Sequence, residues 1–143
     1  MTVTLRSFEA GDYSAVMRLW EATEGVGLSD ADSPAGISQY LERNPSLSLV
    51  AVESNVIIGT ILCGHDGRRG LIHHVVVAST HRRRGIGRQL VQRGLASLRQ
   101  QGMQKCHLLV FGNNAQAQKF WRRMGAEERT SLIVFSLATR EDG

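Results

Sequence analysis

The sequence is poor in cysteine and has no long apolar run. Cys63 and Cys106 are the only thiols among 143 residues. They form no CxxC pair and no regular framework, which excludes a disulfide scaffold and reads as two buried thiols in a reducing compartment. No apolar stretch reaches the ~18 residues needed to cross a bilayer, so no membrane partner is expected. Met1 to Arg6 lacks a basic start followed by an apolar segment, and a cytoplasmic location is the expectation. No repeat, low-complexity tract or linker interrupts the chain. A single domain over residues 1–143 is expected, long enough to bury a core.

What is present is ordinary for a globular protein, with 42% hydrophobic and 21% charged residues. The net charge of +4 suits an anionic partner without naming one. The charge is uneven. His81-Arg82-Arg83-Arg84 and Arg88 lie close together, with Arg68-Arg69 nearby. Such a run is usually a solvated face unless backbone geometry also favours an anion.

Hydrophobic period gives the elements. Val3 to Ser7 reads as a short strand. From Glu9 the pattern is helical, with Tyr13, Val16, Met17, Leu19 and Trp20 on one stripe. Gly25-Val26-Gly27 breaks it, and Leu28 to Pro34 reads as a loop. Ile37, Tyr40 and Leu41 predict a second helix, stopped near Asn44-Pro45. Leu47 to Val52 and Val56 to Cys63 predict an antiparallel hairpin, and Gly64 to Gly70 a turn. Leu71 to Val77 reads as a central strand. Gly85 to Gln101 predicts a helix, Cys106 to Phe111 a strand, Asn114 to Met124 a helix with Asn114 as N-cap, and Ser131 to Leu137 a last strand. The order is β-α-α-β-β-β-α-β-α-β. The expected fold class is α/β, with a mixed, mostly antiparallel sheet and helices on both faces. The crossover through helix 85–101 favours parallel pairing of its flanking strands.

Chemistry concentrates at Arg82-Arg83-Arg84-Gly85-Ile86-Gly87-Arg88. The first N–H groups of a helix lack internal partners, and the helix dipole adds partial positive charge there. Gly85 and Gly87 remove side chains, so a phosphate can approach the backbone. Arg82, Arg83, Arg84 and Arg88 add donors around the same point. A P-loop would need Lys-Ser/Thr after the second glycine, where Arg88-Gln89 stands. A dinucleotide loop would need a third glycine at 90, where Leu90 stands. A nucleic-acid binder would want a basic face with interleaved aromatics or a recognition helix, whereas these cations converge on one helix start.

The remaining pattern, Arg82-x-x-Gly85-x-Gly87 after a strand, resembles the pyrophosphate loop of the GNAT acetyltransferase superfamily. Val77-Ala78-Ser79-Thr80-His81-Arg82 keeps the family frame V-x-P-x-x-R, with Ser79 in place of proline. Asn114, Ala117, Trp121, Gly125 and Ala126 fall in the frame of a second family motif. The resemblance implies the GNAT fold and acetyl-CoA as co-substrate, with no metal. Backbone groups of Val75, Val76 and Val77 would hold the pantetheine arm, and one N–H there would steady the oxyanion. N–H groups from Arg83 through Arg84, Gly85, Ile86 and Gly87 to Arg88 would hold the pyrophosphate. Asn114 would bond the pantetheine arm, with Ala117 and Trp121 near its reactive end.

The implied reaction is direct attack of an amine, on a small molecule or a protein, on the acetyl thioester. Two usual proton carriers are missing. Trp121 stands at the motif tyrosine, and an indole is no useful acid. Leu109 stands where some members place a glutamate base. A thiol of ordinary pKa can leave without a protein acid. His73 and His74 are the candidate bases. Strict alternation would aim only one of them at the cleft, although this strand often carries a bulge in the family. His65, Asp66, Tyr13 and Tyr40 are further candidates. The alternative to an enzyme is an acetyl-CoA-binding regulatory module with little turnover. The acceptor stays open, as does a homodimer.

Overall fold

The computed structural model describes residues 2–140, so Met1 and residues 141–143 of the expected domain lie outside it. The chain divides into two compact units, one ending at Phe111 and one beginning at Gly112.

In the first unit, β-branched and aliphatic runs assemble a five-stranded sheet in sequential order. β1 (Thr4–Ser7), β2 (Leu49–Glu53), β3 (Val56–His65) and β4 (Gly70–Val77) pair antiparallel, each with the next. β5 (Cys106–Leu108) joins β4 in parallel. Ser54 and Asn55 turn β2 into β3 at positive φ, 51° and 65°. Two such residues give the tight turn whose twist matches the strands it joins. Between β3 and β4, Asp66 Oδ1 accepts the N–H groups of Arg68 and Arg69, both at 2.8 Å. Those backbone donors hold the Asp66 carboxyl below its usual range. The strands run into the expected turn from both sides, leaving only residues 66–69 outside them.

A parallel neighbour requires a crossover, and α3 (Ile86–Gln100) supplies it. α3 buries Ile86, Leu90, Val91, Gly94 and Leu98. It lies on the face carrying Ile61 and Cys63, since a Cβ on Gly94 would touch both at 3.4–3.5 Å. The opposite face is covered by α1 (Tyr13–Glu21) and α2 (Pro34–Arg43). There Val16, Trp20 and Ile37 pack with Phe8, Val50, Leu62 and Val76. Each such aliphatic side chain contributes roughly 1.5–3 kcal/mol on burial. Helices thus cover both faces, as expected.

α2 starts with Ser33, whose Oγ accepts Gly36 N–H at 3.0 Å, followed by Pro34 in the first turn. It ends at buried Asn44, whose Oδ1 accepts His65 N–H at 3.1 Å and ties the helix to β3. Just before α2, the expected loop holds a 3-10 turn, Asp30–Asp32. Ser29 opens it with a reciprocal capping box to Asp32. Among the described residues, no helix is long and apolar enough to cross a membrane.

In the second unit, α4 (Ala115–Arg123) begins as expected at Asn114, whose Oδ1 accepts Ala117 N–H at 3.0 Å. Gly125, at φ 94°, follows its end. The expected last strand at Ser131 to Leu137 is not formed. Its composition is strand-like, but no ladder partner pairs with it among the described residues, and a strand exists only as part of a ladder.

Candidate functional site

The site begins with a defect in β4. Its register against β3 runs Leu62↔His73, then Thr60↔Val76, so two steps on β3 face three on β4. The extra residue lies at His74–Val75, and His74 takes φ 47°. A bulge removes a carbonyl from the ladder, and a buried carbonyl needs another donor. Thr60 Oγ1 supplies it, donating to His74 O at 3.1 Å. Thr60 Oγ1 in turn accepts the Trp20 indole N–H at 2.9 Å. The α1 core residue therefore supports the bulge through one hydroxyl.

The bulge corrects the expectation that only one histidine could face a given side. His74 meets Trp20 of α1, ring centroids 4.7 Å apart, and His73 meets Tyr40 of α2 at 6.2 Å. Both rings lie on the α1/α2 face, 6.3 Å from each other. Positive φ at His74 turns its side chain back, where strict alternation would have sent it away. Burial, and secondarily the neighbouring His74, lower the His73 pKa.

Asp32, which sequence reasoning passed over, completes the cluster. Its Oδ1 lies 2.9 Å from His74 Nε2. Its Oδ2 accepts Ser29 N–H at 3.0 Å, and its main-chain oxygen accepts the Tyr13 hydroxyl at 2.6 Å. The Asp32 side chain is 8% exposed. The available signal was Ser29-x-x-Asp32, a capping-box spacing inside an apparent loop.

The bulge also frees an edge. β4 pairs with β5 only from Gly70↔Cys106 to Ile72↔Leu108. From His73 to Val77, β4 has no strand on that side among the described residues. A bulge bends its strand, so β5 ends at Leu108 and not at the expected Phe111. Leu109 is 70% exposed.

The free edge leads to the start of α3. Gly85, the N-cap, has φ 77°, a left-handed conformation that suits glycine, and an added Cβ there would meet nothing within 4 Å. N–H groups of residues 83–88 donate to no backbone acceptor among the described residues. Arg83 too is left-handed, at φ 65°. The loop is anchored from β2, because Glu53 takes His81 Nε2 at 2.8 Å and Arg84 Nη2 at 3.0 Å on its two oxygens. Arg84, then His81, hold the Glu53 carboxyl below its usual range. Arg82 Nε donates to Val77 O at 3.3 Å. Sequence reasoning treated these arginine side chains as donors around a ligand. Two of them brace the loop, and its missed residue is Glu53.

Other sequence candidates are committed elsewhere. His65 Nδ1 accepts Gly67 N–H at 3.0 Å, so its Nε2 donates to Gln101 Oε1 at 2.8 Å. The Tyr40 hydroxyl is buried without a partner among the described residues, and burial raises its pKa. Burial, then Cys106, push the Cys63 thiol up to about 12, and burial raises Cys106 as well. Neither is a thiolate at neutral pH. In the second unit, Asn114, expected to bond the pantetheine arm, caps α4 with its Oδ1, and Trp121 packs edge-on to Phe120.

Comparison with known proteins fits this arrangement. The family model described as the Acetyltransferase (GNAT) family matches residues 13–126. An acetyltransferase of Sodalis glossinidius is 29% identical over 138 residues, covering 96% of each chain. An acetyltransferase of Pectobacterium atrosepticum is 34% identical over 110 residues, 77% of each. The fold is shared with the PaiA N-acetyltransferase of Thermoplasma acidophilum, solved in complex with coenzyme A. The TM-score is 0.74 at 17% identity, over 87% of this chain and 89% of that one. A split sheet beside a glycine-capped helix start, and a family match spanning most of the chain, place this protein in the GNAT acetyltransferase family.

Proposed function

We propose that the protein transfers the acetyl group of acetyl-CoA to a primary amine, on a small molecule or a protein. The observation that carries this is the unpaired β4 edge from His73 to Val77, leading directly to the bare N–H groups at the start of α3. An extended amide arm fits an open strand edge, and a diphosphate fits a helix start with a left-handed glycine. The coenzyme A in the Thermoplasma neighbour's structure agrees with that ligand. Backbone groups of Val75, Val76 and Val77 hold the pantetheine arm in this reading, and the N–H groups of residues 83–88 hold the pyrophosphate. For Asn114, Ala117 and Trp121 we propose the cofactor contacts that the family motif implies. We also propose one functional domain, the family match running through both units.

Acetyl-CoA supplies an activated acyl carbon with a thiolate leaving group. The protein must take a proton from the acceptor ammonium and place a donor at the carbonyl oxygen. The free amine nitrogen bonds to the acyl carbon, and the carbon–sulfur bond breaks. One ammonium proton ends on the departing sulfur and a second reaches solvent. His73 and His74 are the bases in this reading. A lowered pKa keeps His73 neutral and able to accept a proton at pH 7. With Trp121 at the motif tyrosine, the thiolate leaves without a protein acid.

Free-thiol release from acetyl-CoA, measured over polyamines, amino acids and peptides with free N-termini, tests this. Acceleration by at least one amine is expected. Tight acetyl-CoA binding with no acceleration by any acceptor would favour the regulatory module that Trp121 and Leu109 suggest. Gly87→Glu should weaken acetyl-CoA binding at least ~10-fold, through a carboxylate beside the phosphates. Unchanged affinity would refute the pyrophosphate placement.

A further inference from the structure

The two histidines differ in one respect that sequence does not show. Among the described residues, no hydrogen bond reaches either ring nitrogen of His73. His74 Nε2 lies 2.9 Å from Asp32 Oδ1. A carboxylate accepts only, so Nε2 must carry the proton of that bond. Nδ1 is then the nitrogen left with a lone pair, and no partner occupies it among the described residues.

We propose that Asp32 is a positioning residue that fixes His74 as its Nε2–H tautomer and leaves Nδ1 as the proton acceptor of the site. This rests on the amine-transfer reading for its chemistry, though not for its geometry.

Three observations hold Asp32 to that role. Its second oxygen is fixed by Ser29 N–H, so the carboxylate cannot swing away without breaking the capping box. Its backbone is fixed to α1 by the Tyr13 hydroxyl. The ring it faces is fixed from below, because the His74 carbonyl is bonded to Thr60 and the ring rests against Trp20. A half-buried imidazole held at both backbone and ring loses the freedom to present the other nitrogen. The His73 ring meets Tyr40 and His74 but has no hydrogen bond among the described residues, and keeps that freedom.

The titratable groups facing this pair are few. Asp32 comes from the turn before α2, His73 from β4, Tyr13 from α1 and Tyr40 from α2 beside His73. Asp32 is the one carboxylate among them, and it holds the Nε2–H of His74. In the transfer step Nδ1 accepts one proton of the acceptor ammonium. The Nε2–H bond to Asp32 stays in place, and the imidazolium later loses the Nδ1 proton to solvent.

Long-range proton–nitrogen correlation spectra of the 15N-labelled full chain read the tautomer without any acceptor. The wild type should show His74 protonated at Nε2 near neutral pH. Asp32→Asn keeps the size but offers an amide donor, and should move the proton to Nδ1. Asp32→Glu, which keeps an acceptor, should retain the Nε2–H form and guards against a variant that misfolds. With an amine found to be acetylated, Asp32→Asn should lower kcat by about 10²–10⁴-fold with little change in KM for acetyl-CoA, as expected when a base presents the wrong nitrogen. An Nδ1–H tautomer in the wild type, or the same tautomer in Asp32→Asn, would overturn the proposal. Failure of every amine to accelerate thiol release would overturn the amine-transfer reading instead, and the tautomer would still decide the role of Asp32.

Discussion

His73 links the site to stability at the scale of one residue. Burial lowers its folded-state pKa beneath the unfolded value of about 6.5. The unfolded chain therefore binds the extra proton first as pH falls. Stability from this residue is fully present above about pH 6.5 and declines below it, until the folded form also protonates. Urea unfolding at about pH 7.5 and about pH 5.5 should show wild type losing more stability on acidification than His73→Gln. Equal losses would mean that His73 is not desolvated. His73 is half-buried because it stands opposite Leu62, whose side chain belongs to the core under α1 and α2, so its burial follows from the register of β3 and β4.

At the scale of elements, the α2–β3 junction depends on a missing side chain. A Cβ on Gly64 would sit 2.6 Å from the Asn44 side chain and from the Tyr40 hydroxyl. Asn44 is held by His65 N–H and caps α2, so it has little room to yield. Gly64→Ala should cost about 1–3 kcal/mol in chemical denaturation, the usual range for overpacking. A neutral result would show that α2 can shift outward. The elements themselves were readable from hydrophobic period: four helices and five strands stand within a few residues of where the apolar stripes put them. The differences have local causes. The turn at Asp66 is shorter because one carboxylate closes it, and β5 is shorter because its partner bends away. The stretch 131–137 is rich in strand formers yet forms no strand, since composition supplies the tendency and pairing the strand.

For the whole molecule, ligand linkage is the decisive measurement. A ligand that binds only the folded chain stabilises it by about 2.7 kcal/mol at one hundred times its Kd. Coenzyme A at that ratio should raise Tm by roughly 10 °C for a protein of this size. At the same concentration the rise in Gly87→Glu should be about half of that or less, as a loss of at least ~10-fold in affinity requires. A rise of equal size in the variant would place the ligand elsewhere.

The sequence by itself determined the α/β class, the crossover at α3, and the glycine-capped helix start with its run of arginines at residues 82–88. Those follow from period and from glycine and arginine at fixed spacing along one stretch of chain, which local physics can read. The N-cap at Asn114 was legible for the same reason. Only the tertiary structure decided that His73 and His74 share a face, that Glu53 binds both Arg84 and His81, and that Asp32 meets His74. Each of these joins residues 28 to 42 positions apart or turns on a single positive φ in β4. Spacing along the chain carries no record of such meetings, because they are fixed by which faces pack together and by where a ladder slips.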